Sequence, residues 1–402
     1  MFVLLPIEEI TLGEPLPVDI FDARGELLLR KGQVIRDEHH RDWIAMHRPM
    51  LRREDFQAWT FRYNAAIDRA LRDNRSLEEI AHVARPMNWQ DAGEGVADTR
   101  PIDEIWAGLH AGLTLLLHQG EQAQDFLGRL QRLMAYLPQL LRPRIDPSVL
   151  VLVQMLYDRR LGYSATHAWL CALLAGEVAA SLGWSAERQH SLRCAALTMN
   201  LGLARLHDDL ARQDAPLSTA QRQAVHQHPL RGEQSLRRLG VQDALWLELV
   251  RDHHERQGGL GYPHGRAEVS APAQLLQLVD VYVARLSPRI NRPGLPAPRA
   301  ARDVYMDASG MTTPLGAALV QVVGLYAPGT YVELASGEIG LVARRGRRAH
   351  TPLVFAIVGR DGLPKGEAPL RDTAESAYAV RRAVPAQEVK VRVALPRLLA
   401  RL

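Results

Sequence analysis

From Pro147 to Tyr326 apolar residues recur three and four positions apart, broken only by short polar or glycine-containing runs. Segments such as HAWLCALLAGEVAASLG, AERQHSLRCAALTM and DALWLELVRDHHE carry that period, so this stretch must fold as packed helices. Ser218 followed three residues later by Gln221 is a capping-box signature for one helix start. No other feature limits the choice of fold as strongly.

The flanks differ. Residues 1–58 read as a β-rich module, with LPVDIF (16–21) and ELLLRKG (26–32) forming a hairpin around a turn that contains Asp22 and Gly25. Residues 59–146 are again helical in period, interrupted by a Pro- and Gly-rich loop at 86–101. Residues 147–326 form the central helical domain, and residues 327–402 alternate as short strands in a small C-terminal β module. The fold class expected is mainly α, a helical bundle core with small β-rich modules at both termini. SPRINRPGLPAPRAARD (287–303) reads as a surface loop, and the ARRGRR run holding Arg344, Arg345, Arg347 and Arg348 as a solvated hairpin tip. Trp106, Leu109 and Leu116 read as core packing.

Composition closes off several classes of function. A net charge of +4 over 402 residues does not favour binding to nucleic acid. Two cysteines, Cys171 and Cys194, make no disulfide framework and fit a reducing compartment. No apolar run is long enough to span a bilayer, and MFVLLPIEE reads as a strand rather than a signal peptide. A cytoplasmic protein without membrane contact is the expectation.

The chemistry-bearing residues are histidines. HHERQGGLGYP sets His253 and His254 side by side ahead of helix-ending glycines. Adjacent helical residues point about 100° apart, so the two rings can share a centre only near a helix end. His228 precedes a proline; His167 and Asp280 lie on helical segments. Imidazoles with one carboxylate suit iron, manganese or zinc. The same pattern also fits histidines that cap helices or hydrogen-bond in the core.

The order His167, His228-Pro229, HHExxxGxGYP and then Asp280 in DVY resembles the HD-GYP family, a branch of the HD superfamily of metal phosphohydrolases. Known members hydrolyse the bacterial messenger cyclic di-GMP at a centre of two or three metals, often iron or manganese. The resemblance covers about Pro147 to Tyr326. It implies that His167, His228, His253, His254 and Asp280 are metal ligands and that Arg289 contacts phosphate. It also places Gly261, Tyr262 and Pro263 at the ligand pocket. Arg285 and Arg292 flank Arg289, so a plain basic face is the competing reading, and Tyr262-Pro263 reads equally as a rigid turn.

The match departs from the family where the name-giving HD pair should stand. That position reads Met199-Asn200, the lysine position is Leu203, and the acid of the HHExxDG string is Gly258. An acid used one turn before the first histidine is Tyr163 here. Two dications about 4 Å apart repel by roughly 17 kcal/mol at an effective dielectric near 20. The aspartate that would bridge them is an asparagine. A two-metal centre is therefore not expected, and one divalent ion (Fe, Mn or Zn) is. The reading is a degenerate signalling module that binds cyclic di-GMP or another phosphoester, and a protein partner, with little or no turnover. The alternatives are an active phosphohydrolase on a remodelled single-metal site, and a helical adaptor whose histidines are relics. His207-Asp208, a literal HD dipeptide, reads as a loop or helix-capping pair, and Cys171, on the same helix face one turn after His167, as a small core residue, with a thiolate ligand to an altered metal site as the competing reading.

Overall fold

The structure is a computed structural model. It describes residues 2–4, 12–13, 15–16, 18–22, 26–36, 40, 44, 49–52, 100–141, 144–158, 160–290, 292–306 and 311–402. The chain divides into two compact units, 1–98 and 99–402. The expected helices before Arg100, and the loop expected at 86–101 apart from its last two residues, lie outside the described residues.

In the first unit β1 (Phe2–Leu4), β2 (Ile20–Phe21), β3 (Leu27–Leu29) and β4 (Met50–Arg52) form an antiparallel sheet in the order β1-β4-β2-β3. The hairpin is the expected one: Ile20 pairs with Leu29 and Phe21 with Leu27. Asp22 Oδ1 accepts from the Glu26 N–H at 2.8 Å. Leu16, Ile20, Leu29, Ile35, Ile44 and Leu51 are its core.

The second unit opens with four helices: α1 (Ile102–Gln119), α2 (Phe126–Met134), α3 (Leu137–Leu141) and α4 (Ile145–Tyr157). Next come α5 (Tyr163–Ser181), α6 (Ala186–Thr198), α7 (Ala204–Arg212), α8 (Thr219–Arg238) and α9 (Ala244–Asp252). The helical part ends with α10 (Ala271–Leu286), α11 (Ala297–Tyr305) and α12 (Pro314–Val323). Every residue of α5 from Tyr163 to Ala179 is buried, so this helix is the axis of the bundle and the others wrap it. Its small residues, the CALLAGEVAA run, let α6 and α10 approach closely. The Ser218–Gln221 capping box is present at the start of α8. Trp106, Leu109 and Leu116 are buried in the same core, with Trp106 edge-on to Trp169 of α5.

Strands β5 (Tyr331–Leu334), β6 (Ile339–Arg344), β7 (Leu353–Val358), β8 (Leu370–Asp372) and β9 (Val380–Val384) form an antiparallel sheet in the order β8-β7-β6-β5-β9, followed by α13 (Leu395–Leu399). The sheet packs on α4: Leu150 lies in its core, and Gln154 donates to the Gly329 carbonyl at 2.7 Å and accepts from the Tyr331 hydroxyl at 3.0 Å. The protein is thus mainly α, with a small antiparallel sheet towards each terminus.

Two local expectations are corrected. The run 287–303 is not a surface loop throughout: Ser287 is fully buried, and from Ala297 the chain is α11, started by Pro296 and Pro298, whose fixed φ suits a first turn. The arginine hairpin tip is not wholly solvated either. Arg345 folds back to pair with Asp146 at 2.5 Å and to donate to the Val322 carbonyl, because α4 offers a carboxylate at its first turn.

Candidate metal centre

His228 sits within α8 immediately before Pro229. Proline has no N–H, so the carbonyl four residues earlier, that of Val225, loses its helical donor. The His228 ring takes that carbonyl: Nδ1–H donates to Val225 O at 2.6 Å. His253 follows the last residue of α9, where the final four carbonyls have no intrahelical donor. One of them, Val250 O, accepts from His253 Nδ1–H at 2.8 Å. A carbonyl can only accept, so both rings are fixed as the Nδ1–H tautomer and both Nε2 atoms carry a lone pair.

Those two Nε2 atoms face each other at 3.2 Å. Neither has a proton to share, so the contact is repulsive unless a cation lies between them. Two nitrogens held about 2.1 Å from one ion at tetrahedral to right angles stand roughly 3.0–3.4 Å apart. His254 joins them: one donor atom from each of His228, His253 and His254 lies within 4.8 Å of the others. Burial pushes the His228 imidazole down to about 3, with the neighbouring His253 adding to the effect. Burial lowers His253 and, more strongly, His254 as well. Three neutral imidazoles are the form that binds metal. The residues fit an ion.

The turn after His254 is built to hold it. A Cβ on Gly261 would come 2.3 Å from Arg256 N and 2.5 Å from His254 O, so only glycine fits. Glu255 is buried and accepts from the His264 and Arg266 N–H groups at 2.7 and 2.9 Å, closing the loop. The Tyr262 ring stacks on His254 at 4.6 Å and on His226 at 4.7 Å, and Tyr262-Pro263 is a cis peptide. Protein rings thus already occupy the π surface of Tyr262, so in this geometry the tyrosine positions His254, and Pro263 lies in the turn beside it.

A second group adjoins the first. His167 Nε2 lies 2.8 Å from Asp280 Oδ1 and 3.5 Å from Cys171 Sγ, and the three donor atoms fall within 4.8 Å of one another. The other oxygen of Asp280 is 3.9 Å from His254 Nδ1, so this carboxylate faces both groups. Burial alone would raise the Asp280 carboxyl; the His167 hydrogen bond brings it below the usual carboxylate range. Tyr163, where an acid was expected from the resemblance, meets His167 Nδ1 with its hydroxyl at 2.9 Å.

Arg289 lies over the Tyr163 ring at 5.4 Å, and its buried Nε has no hydrogen-bond partner among the described residues. Sequence reading missed His207, which stands edge-on to Tyr163 at 4.6 Å and to His167 at 5.9 Å. It also missed the stacking role of His226. Position on a helix gave no signal for either. The HD dipeptide is not in a loop. Both residues are on α7, and only Asp208 caps, accepting from the Ser164 N–H at the start of α5 at 2.7 Å while contacting His118 at 2.7 Å.

Met199 is fully buried in the main core, and Asn200 is buried at the turn that follows α6. That turn lies hard against α8: a Cβ on Gly202 would come 2.9 Å from the His228 carbonyl. Residues 151–308 match the HD domain family. This stretch of the chain is an HD domain. The chain is similar to cyclic di-GMP phosphodiesterase PA4108 of Pseudomonas aeruginosa, 31% identical over 163 residues, which is 40% of this chain and 39% of that protein. It is also similar to 3'3'-cGAMP-specific phosphodiesterase 1 of Vibrio cholerae, 24% identical over 147 residues, 36% of this chain and 34% of that protein. The chain thus spans about two-fifths or less of these curated relatives. Among solved structures, Bd1817, an HDG"Y"P protein from Bdellovibrio bacteriovorus, aligns with a TM-score of 0.45 at 14% identity, covering 80% of this chain and 99% of that one. Among the described residues no helix is long and apolar enough to cross a membrane.

Proposed function

We propose that the HD domain holds a divalent cation of the iron, manganese or zinc class on His228, His253 and His254. On this reading the chain serves cyclic dinucleotide signalling as a binding module with little or no turnover. The observation that carries it is the pair of Nε2 lone pairs 3.2 Å apart, each ring pinned through Nδ1 to a carbonyl the helices leave free. When bound, the ion supplies a Lewis acid for a phosphate oxygen. Arg289, with its unpartnered Nε beside Tyr163, offers a second, cationic contact to the same kind of group. The relatives' names supply the ligand class, cyclic di-GMP or 3'3'-cGAMP.

Weak turnover follows from Met199 and Asn200. A thioether replaces the histidine of the HD pair, a neutral amide replaces the acid that would span two ions, and Leu203 replaces a cationic side chain. The second reading, an active phosphohydrolase on a remodelled site, is favoured by Asp280, which faces both side-chain groups. Metal analysis of freshly purified full chain, with cyclic di-GMP binding and turnover assays, separates them. Loss of one metal equivalent in a His253→Ala, His254→Ala double variant, and dinucleotide bound without linear product, is the expected result. Metal-dependent production of linear dinucleotide would give the site to the hydrolase reading, and a protein that takes up neither metal nor dinucleotide would refute both.

A further inference from the structure

The group His167, Cys171 and Asp280 has no use in the reading above. All three side chains are buried, and they reach one point from two helices. His167 and Cys171 are four residues apart on α5, one above the other. Asp280 enters from α10, with Oδ1 2.8 Å from His167 Nε2, and Cys171 Sγ lies 3.5 Å from that nitrogen on another side. Imidazole nitrogen, thiolate sulfur and carboxylate oxygen form a donor set for a thiophilic dication, zinc above all.

We propose that Cys171 is a metal ligand, and that His167, Cys171 and Asp280 bind a thiophilic dication beside the three-histidine position. This rests on the reading of the domain as a metal centre. The charge argument against two neighbouring ions then changes. A dication on one thiolate and one carboxylate is a neutral unit, so it does not repel the ion on the uncharged histidines as a bare dication would. Cys171 supplies the negative charge that Asn200 lacks.

Proton movements balance. Without metal, His167 directs its Nε2–H at Asp280 and accepts at Nδ1 from the Tyr163 hydroxyl. With metal, Nε2 gives its lone pair to the ion and Nδ1–H donates to the Tyr163 oxygen, so the ring stays neutral and changes tautomer. The thiol loses its proton, one per ion bound, to solvent.

The test uses the metal-free full chain titrated with Co(II), whose thiolate complexes absorb by sulfur-to-metal charge transfer in the near ultraviolet. The wild type is expected to develop that band. Cys171→Ser and Cys171→Ala should lose it, with far-ultraviolet circular dichroism confirming the fold, while Cys194→Ala should keep it. The His253→Ala, His254→Ala variant should also keep it, since those ligands belong to the other position. Cobalt binding to the wild type without a charge-transfer band overturns the thiolate site and leaves the three-histidine reading standing. A band lost only in Cys194→Ala overturns it too, and no cobalt binding at all overturns both.

Discussion

His207 and Asp208 are neighbours with opposite roles. Asp208 is buried and accepts from the Ser164 N–H and the His118 ring, tying the start of α5 to α1 and α7. His207 turns towards Tyr163 and His167, and its buried Nδ1 has no partner among the described residues. Asp208→Ala is therefore expected to destabilise by about 2–4 kcal/mol, because it leaves a buried donor unpaired. His207→Ala should cost less. Urea denaturation of the two variants measures the difference, and the reverse order would refute the capping role. Sequence reading got the acid right and the histidine wrong, since a dipeptide does not say towards which neighbour each side chain turns.

At the scale of elements, the site depends on two breaks in the helical ladder. Pro229→Ala restores an N–H that competes with His228 for the Val225 carbonyl. Helix α8 should become as stable or more so, since an interior proline costs up to about 3 kcal/mol. Metal affinity should fall by about 10–100-fold as the imidazole loses its orienting bond. Calorimetric titration beside a thermal melt reads both, and equal affinity in the variant would sink the orienting argument. The C-terminal sheet offers a pH test. Burial by itself would raise the Glu338 carboxyl, but Arg371, Lys365 and Ser336 overcome it and bring it down to about 2. The folded value lies below the unfolded one, so the stabilisation is complete above about pH 5 and is lost as pH falls towards 2. It should amount to about 2–3 kcal/mol at neutral pH. In Glu338→Gln the melting temperature should vary less between pH 5 and 3 than in the wild type; unchanged slopes would contradict the assignment.

For the whole molecule, an ion on His228, His253 and His254 would couple α8, α9 and the turn that follows, so its binding should register as global stability. With free metal at 100 times the dissociation constant, the folded state gains about 2.7 kcal/mol. Thermal unfolding of metal-loaded and chelator-treated protein should differ accordingly, and His228→Ala should remove most of the difference. A melting temperature indifferent to the chelator would count against a resident ion.

By itself the sequence determined the helical core between its β-rich ends, the Ser218 cap, and the histidines that stand where helices break. These follow from periodicity and from proline and glycine, which act over a few residues. Tertiary structure alone decided that Asp280 of α10 faces His167 and His254, that Cys171 joins them, that Arg345 crosses to Asp146, and that His207 enters the site. Apart from Cys171 and His167, one turn apart on α5, those pairings join residues far apart in the chain. Their geometry depends on how each helix rotates when it buries its apolar face, and no local pattern encodes that rotation.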